Sequence, residues 1–97
     1  MKLLILFISF FLQTPPSLEV FPNPGNGQFT VTFKADLQED LLLAVSDATG
    51  KFIYLKTVKD FKGEFKETIN LGAQPKGVYL FEVEWEKDRQ IKKVILQ

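Results

Sequence analysis

The chain has 97 residues with 12 basic and 12 acidic side chains, so its formal charge is zero, and it contains neither histidine nor cysteine. Neutrality removes the long-range field that would draw nucleic acid or an anionic membrane. Without His and Cys, the commonest general base, thiol chemistry, disulfides and His/Cys zinc sites are all excluded.

In chain order, Met1-Lys2 is a short basic start and Leu3–Leu12 an apolar run broken only by Ser9. That run is too short to span a bilayer as a helix. It fits the apolar core of a secretory signal peptide, so residues 1–17 are expected to be a leader and 18–97 the domain. Gln13–Ser17 offers no small-x-small cleavage site, so an uncleaved anchor and an upstream sequence misread as a start are the other readings of this segment. A domain of this size buries only roughly 60–65% of its unfolded surface. Ten Phe, one Trp and two Tyr supply much of its core volume.

Leu18–Gly27 (LEVFPNPGNG) opens the domain. Leu18, Val20 and Phe21 favour a strand. Pro22 and Pro24 then exclude both a helix and a central strand, because neither donates a backbone N–H. Pro24 holds Asn23 extended, and Gly25, Asn26 and Gly27 accept the positive φ of a sharp turn.

From there, turn signals recur every eight to twelve residues, the rhythm of a sandwich or barrel of short strands. Seven are expected, at about 18–21, 28–34, 41–47, 51–58, 64–71, 77–86 and 90–96. Phe29, Val31 and Phe33 alternate with Thr30, Thr32 and Lys34, the pattern of a half-buried strand. Leu41–Asp47 is apolar on both faces and should be central. Asp47–Gly50 reads as a hairpin turn and Gly63 as another. No helix is expected beyond a single turn near Ala35–Asp40. Tyr79, Phe81, Val83 and Trp85 share one strand face; Leu80, Glu82, Glu84 and Glu86 share the other. A two-residue turn at Lys87-Asp88 would set Glu86 against Arg89, Glu82 against Lys93, Phe81 against Val94 and Tyr79 against Leu96.

Catalytic constellations are missing. Ser17 and Ser46 have no visible base to activate them. Glu82, Glu84 and Glu86 could be imagined as a calcium or glycosidase site, but read more simply as a solvated face paired with Lys93 and Arg89. No Gly-rich loop leads into a helix, so no nucleotide site is expected. No enzyme, cofactor, metal, nucleic-acid partner or small-molecule substrate is expected, and the oligomeric state is left open.

The landmarks also fall in a known order: PNP with Gly27 and FTV; Asp47-Ala48-Thr49-Gly50-Lys51; Ile69–Leu71; Pro75-Lys76-Gly77-Val78-Tyr79-Leu80; and Lys92-Lys93-Val94-Ile95. In that order and spacing, Leu18–Gln97 resembles the type A C-terminal sorting domain of type IX (Por) secretion substrates. The resemblance implies an all-β, immunoglobulin-like β-sandwich of about seven short antiparallel strands, without catalysis. It implies an exported protein of Bacteroidetes that crosses the periplasm and is recognised by the type IX translocon. The destination is the cell surface or medium, where a surface sortase is a further partner. Pro22, Asn23, Pro24 and Gly27 match the opening motif, and Asp47 and Gly50 the central hairpin. Pro75, Gly77 and Tyr79 match the Pro-x-Gly-x-Tyr stretch; Lys92, Lys93 and Val94 match the terminal strand. Most of these read as turn makers and core residues, whereas Lys92, Lys93 and the Pro22–Pro24 corner are the candidates for direct recognition.

Family members normally carry a large cargo ahead of the domain, and here only Gln13–Ser17 separates it from the apolar run Leu3–Leu12. A cargo-less remnant of a longer secreted protein is therefore one alternative. An adhesion or carbohydrate-binding module is another, and would need Trp85 as an exposed platform.

Overall fold

A computed structural model describes residues 15–97, so the expected leader lies outside the described residues except for its last three. Five strands form: β1 (Ser17–Phe21), β2 (Gln28–Asp47), β3 (Phe52–Asn70), β4 (Gly77–Glu84) and β5 (Arg89–Leu96). The chain is all-β among the described residues, as expected, but the count of seven short strands is not met. The expected strands at 28–34 and 41–47 are the two halves of β2, and those at 51–58 and 64–71 are the two halves of β3. Nor does a helical turn form at Ala35–Asp40. Alternation carries straight through it, with Ala35 buried, Leu37 and Glu39 half-buried and Asp36, Gln38 and Asp40 exposed. A period of two in burial outlasts the polar composition that suggested a break.

All pairings are antiparallel, in the order β1-β2-β4-β5, with β3 on the other side of β2. The first half of β2 lies between β1 and the second half of β3; its second half lies between the first half of β3 and β4. Leu41–Asp47 is therefore central, as expected. Between the halves the β2–β3 register slips, between Lys34 and Gln38 and again between Glu39 and Leu41. Extra residues in a ladder bend and twist it. Asp60 and Gly63 on the facing strand take φ of 52° and 80°, conformations that also turn the chain. Thus Gly63 bends a strand where the sequence suggested a turn between two.

The sheet consequently curls back on itself. Lys56 Nζ and Glu67 Oε1 are 2.6 Å apart although both lie on β3. Eleven residues of straight strand would put them about 36 Å apart. Phe29 of β2 meets Phe81 of β4 edge to face at 5.7 Å, and the Phe33 ring lies 5.5 Å from both Phe61 and Trp85. Inside the curl, Phe29, Val31, Phe33, Leu41, Leu43 and Val45 of β2 pack with Leu18, Ile69, Phe81, Val83 and Val94. Each such side chain contributes about 1.5–3 kcal/mol through burial.

Both hairpin turns can be compared with expectation. At Asp47–Lys51 the turn forms as expected: Gly50 N–H donates to Asp47 O, and Gly50 takes φ of 90°. The β4–β5 turn is displaced by one residue. Trp85 N–H donates to Asp88 O, which centres the turn on Glu86-Lys87, and the Glu39 carboxylate accepts from Glu86 N–H at 2.8 Å. Moving the centre by one shifts the register by two. Glu84 therefore faces Arg89, Phe81 faces Lys92, Tyr79 faces Val94 and Gly77 faces Leu96. A two-residue slip keeps every side chain on its own face, so the apolar face still packs inward.

Candidate functional site

Five separate stretches of sequence converge at one end of the molecule. Asp47 of β2 lies opposite Tyr79 of β4, which lies opposite Val94 of β5. One step further out, Gly77 faces Leu96, and Leu96 bridges to Gly25. All the motif residues anticipated from sequence, Pro22–Pro24, Gly27, Asp47, Gly50, Pro75, Gly77, Tyr79 and Val94, sit at or beside this end. Lys92 and Lys93 lie just behind it on β5.

The corner after β1 is what draws the stretches together. Phe21–Pro22 and Asn23–Pro24 are both cis. Asn23 does two things at once: Nδ2 donates to Lys93 O at 3.0 Å, and Oδ1 accepts from Ile95 N–H at 3.0 Å. Its amide thus takes the place of a neighbouring strand along the free edge of β5. Gly25 continues the edge, with N–H donating to Ile95 O and O accepting from Gln97 N–H. No side chain fits at Gly25, since a Cβ there would lie 2.5 Å from Phe29 Cε1. Gly27 then accepts from Leu71 N–H through its carbonyl, with a φ of 142°. Its Cα side faces Gly72 too closely for a Cβ, which would lie 3.0 Å from Gly72 Cα.

Two further groups close the end. Tyr79 is buried, and its hydroxyl donates to Pro75 O, so Pro75 and Tyr79 are one unit that shapes the β3–β4 connection. The Asp47 carboxylate accepts from Thr49 Oγ1–H, Thr49 N–H and Lys51 N–H. Those bonds, the hydroxyl's first among them, hold the carboxyl below the ordinary Asp range.

Lys92 and Lys93 are both exposed, as expected, but do not act as one patch. Lys93 lies opposite Leu80 on the outer face of the sheet, whereas Lys92 lines the narrow gap between β5 and the start of β1. At that gap Gln90 stitches the two strands, accepting from Leu18 N–H and donating to Pro16 O, each at 2.9 Å. Sequence reasoning missed Gln90, and read Gly25 as a positive-φ turn residue where the structure needs its lack of a side chain against Phe29. Gln90 shares the inward parity of Val94 and Leu96, which was the available signal for it.

Elsewhere the surface offers little chemistry. A wide-open depression of about 820 Å³ lies at the opposite end beside Trp85, Glu39 and Asp40. Three of its carboxylates are engaged: Glu39 with Glu86 N–H, Asp40 with Asp60 N–H and Lys59, and Asp88 with Arg89 N–H. Trp85 is half-buried against Phe33 and is not a free platform. Glu82 pairs with Arg89 at 3.4 Å, on a strand position facing Ile91 instead of Lys93. Among the described residues no three acidic side chains gather closely enough to hold a metal ion.

Compared with known families, residues 19–97 match the secretion system C-terminal sorting domain. No curated protein matches the chain. The match spans most of the chain and reaches its last residue; the protein belongs to the family of type IX secretion C-terminal sorting domains. It carries a sorting signal for type IX secretion, a non-catalytic role that implies interaction with that machinery and export to the cell surface or extracellular space.

Proposed function

We propose that the type IX translocon reads the convergent end of the folded domain, with the Pro22-Asn23-Pro24 corner and the exposed Lys92 and Lys93 as the contacted surface. Asp47, Gly50, Pro75, Gly77, Tyr79, Val94 and Gly27 hold that surface in shape without touching the partner. One observation carries this reading: the Asn23 side chain bonds to backbone on both sides of β5 residue 94, making corner and terminal strand a single rigid edge. A surface fixed in one conformation loses little entropy when it is bound. In this reading the protein crosses the periplasm folded, and a surface sortase is the second partner, acting after export.

The test is a reporter carrying the domain at its C-terminus in a host with a working type IX translocon. Lys92→Ala with Lys93→Ala should lower surface display while leaving the unfolding midpoint unchanged, because neither ammonium makes an ion pair among the described residues. Full display by the folded double variant would remove the lysines from the recognised surface. Separate single variants sharpen the reading, since the two side chains lie on different faces of β5.

A further inference from the structure

The chain has three asparagines, and the fold leaves them chemically unequal. An asparagine modifies itself when the backbone nitrogen of the next residue attacks its side-chain carbonyl. That step needs a following N–H, a free side chain and little steric bulk after it. Asn23 is followed by Pro24, which has no N–H, and its amide is bound to β5. Asn70 holds its Oδ1 on Gly72 N–H at 2.8 Å, and the N–H after it belongs to Leu71, which donates to Gly27 O at 2.6 Å. Asn26 has none of these restraints. It is exposed, and no hydrogen bond among the described residues engages its amide. Gly27 follows it; the residue is buried against Gly72, but its N–H makes no bond among those residues and it carries no side chain to obstruct attack.

We propose that Asn26 is a self-modification site, deamidating through a succinimide within the folded corner. Water or hydroxide removes the Gly27 N–H proton. The nitrogen forms a bond to Asn26 Cγ, and the side-chain nitrogen takes a proton back from water and leaves as ammonia. Water then opens the five-membered ring at either carbonyl, leaving aspartate or isoaspartate in place of the asparagine. No reagent other than water is consumed. The isoaspartate product routes the main chain through the side-chain carbon, lengthening the link between Gly25 and Gly27. Both ends of that link are fixed, Gly25 by two backbone bonds to β5 and Gly27 by its bond to Leu71. A longer link cannot satisfy both, so the corner releases the end of β5. The modification therefore acts on the same edge that the sorting signal depends on.

The full chain is held folded at mildly alkaline pH, alongside a urea-unfolded sample, and sampled over time by peptide mapping. Exchange of NH₂ for OH adds about one dalton, and isoaspartate is scored with an isoaspartyl methyltransferase. Asn26 is expected to lose its amide measurably in the folded chain, while folding slows the loss at Asn70 far more strongly. Folding that protects Asn26 as strongly as Asn70 would overturn the proposal, as would retention of the same product in Asn26→Gln. Isolated isoaspartate chain should also show faster hydrogen exchange at the Gln97 amide. Unchanged exchange there would overturn the coupling to β5.

Discussion

The two ends of this small sheet are held by different means. At the motif end, backbone bonds to backbone, and the positions are set by cis bonds at Pro22 and Pro24, positive φ at Gly27 and Gly77, and the close approach of Phe29 to Gly25. Asn23 joins the edge of β5 by imitating a strand, and the Asp47, Asn70 and Tyr79 side chains bond to backbone within four residues of themselves. At the bend end, exposed carboxylates reach across to backbone N–H groups: Glu39 to Glu86 and Asp40 to Asp60. Backbone bonds set against the core tolerate no added atom, whereas solvated side chains can give way to water. A recognised surface belongs on the first kind of scaffold, because its shape then depends least on fluctuation.

The sharpest way to break this contrast is the same substitution at both ends. Gly25→Ala places a methyl 2.5 Å from buried Phe29 and 2.8 Å from Pro22 O. Neither neighbour is a flexible side-chain end, so a loss of about 3 kcal/mol is expected from overpacking. The lost bonds from Gly25 to β5 accompany it, and surface display should fall with stability. Urea unfolding of the purified domain measures the first, and the reporter assay the second.

Asn23→Ala comes next. It leaves Lys93 O and Ile95 N–H without their partner but opens them to water, so about 2 kcal/mol is expected. Amide exchange at Ile95 should rise far more than at Val83 in the β4 core. Uniform acceleration instead would mean that Asn23 serves global stability and does not specifically anchor β5.

Gly63→Ala is the counterpart at the bend. Nothing lies within 4 Å of a Cβ at Gly63, so the only penalty is the left-handed backbone at φ 80°. About 1 kcal/mol is expected, with surface display kept. Loss of display without loss of fold would place recognition at the bend end and refute the contrast.

This asymmetry also decides what could be read from the sequence. The motif end was legible, since proline fixes φ and glycine admits the positive φ other residues avoid, and residue type alone reveals both. Asp47–Gly50 and the alternation of Phe29, Val31 and Phe33 announced a turn and an inward face on the same footing. The bend end was not legible. Ala35–Asp40 stays strand because Gln38 and Glu39 pair with Lys62 and Phe61 beyond a register slip, and Asp40 and Glu39 find N–H partners on β3 and in the β4–β5 turn. Neither fact is local. The β4–β5 turn fell one residue early for the same reason: Glu39, remote in sequence, accepts from Glu86 N–H. Convergence of the motif stretches, finally, is a property of a sheet curled on itself, and spacing along the chain contains no sign of it.

The smallest expected effect tests the bend end by pH. The Asp40 carboxyl sits below its ordinary range because it accepts Asp60 N–H and, second, pairs with Lys59. A carboxyl whose folded pKa is depressed adds stability that is fully present above its unfolded value, about 3.9. That stability is lost as pH falls through the lower, folded value. Asp40→Asn should therefore be slightly less stable than the parent at neutral pH, and the gap should close on acidification through that window. Asp47 is depressed in the same way at the motif end, chiefly by the Thr49 hydroxyl, so Asp47→Asn should show the same acid signature. The two differ in consequence. Relaxing the turn at Asp47 disturbs the row that holds Tyr79 and Val94 and should reduce display, whereas relaxing Asp40 should not. Equal display by both variants would mean that the translocon reads the corner and β5 alone, with the hairpin turn serving only the fold.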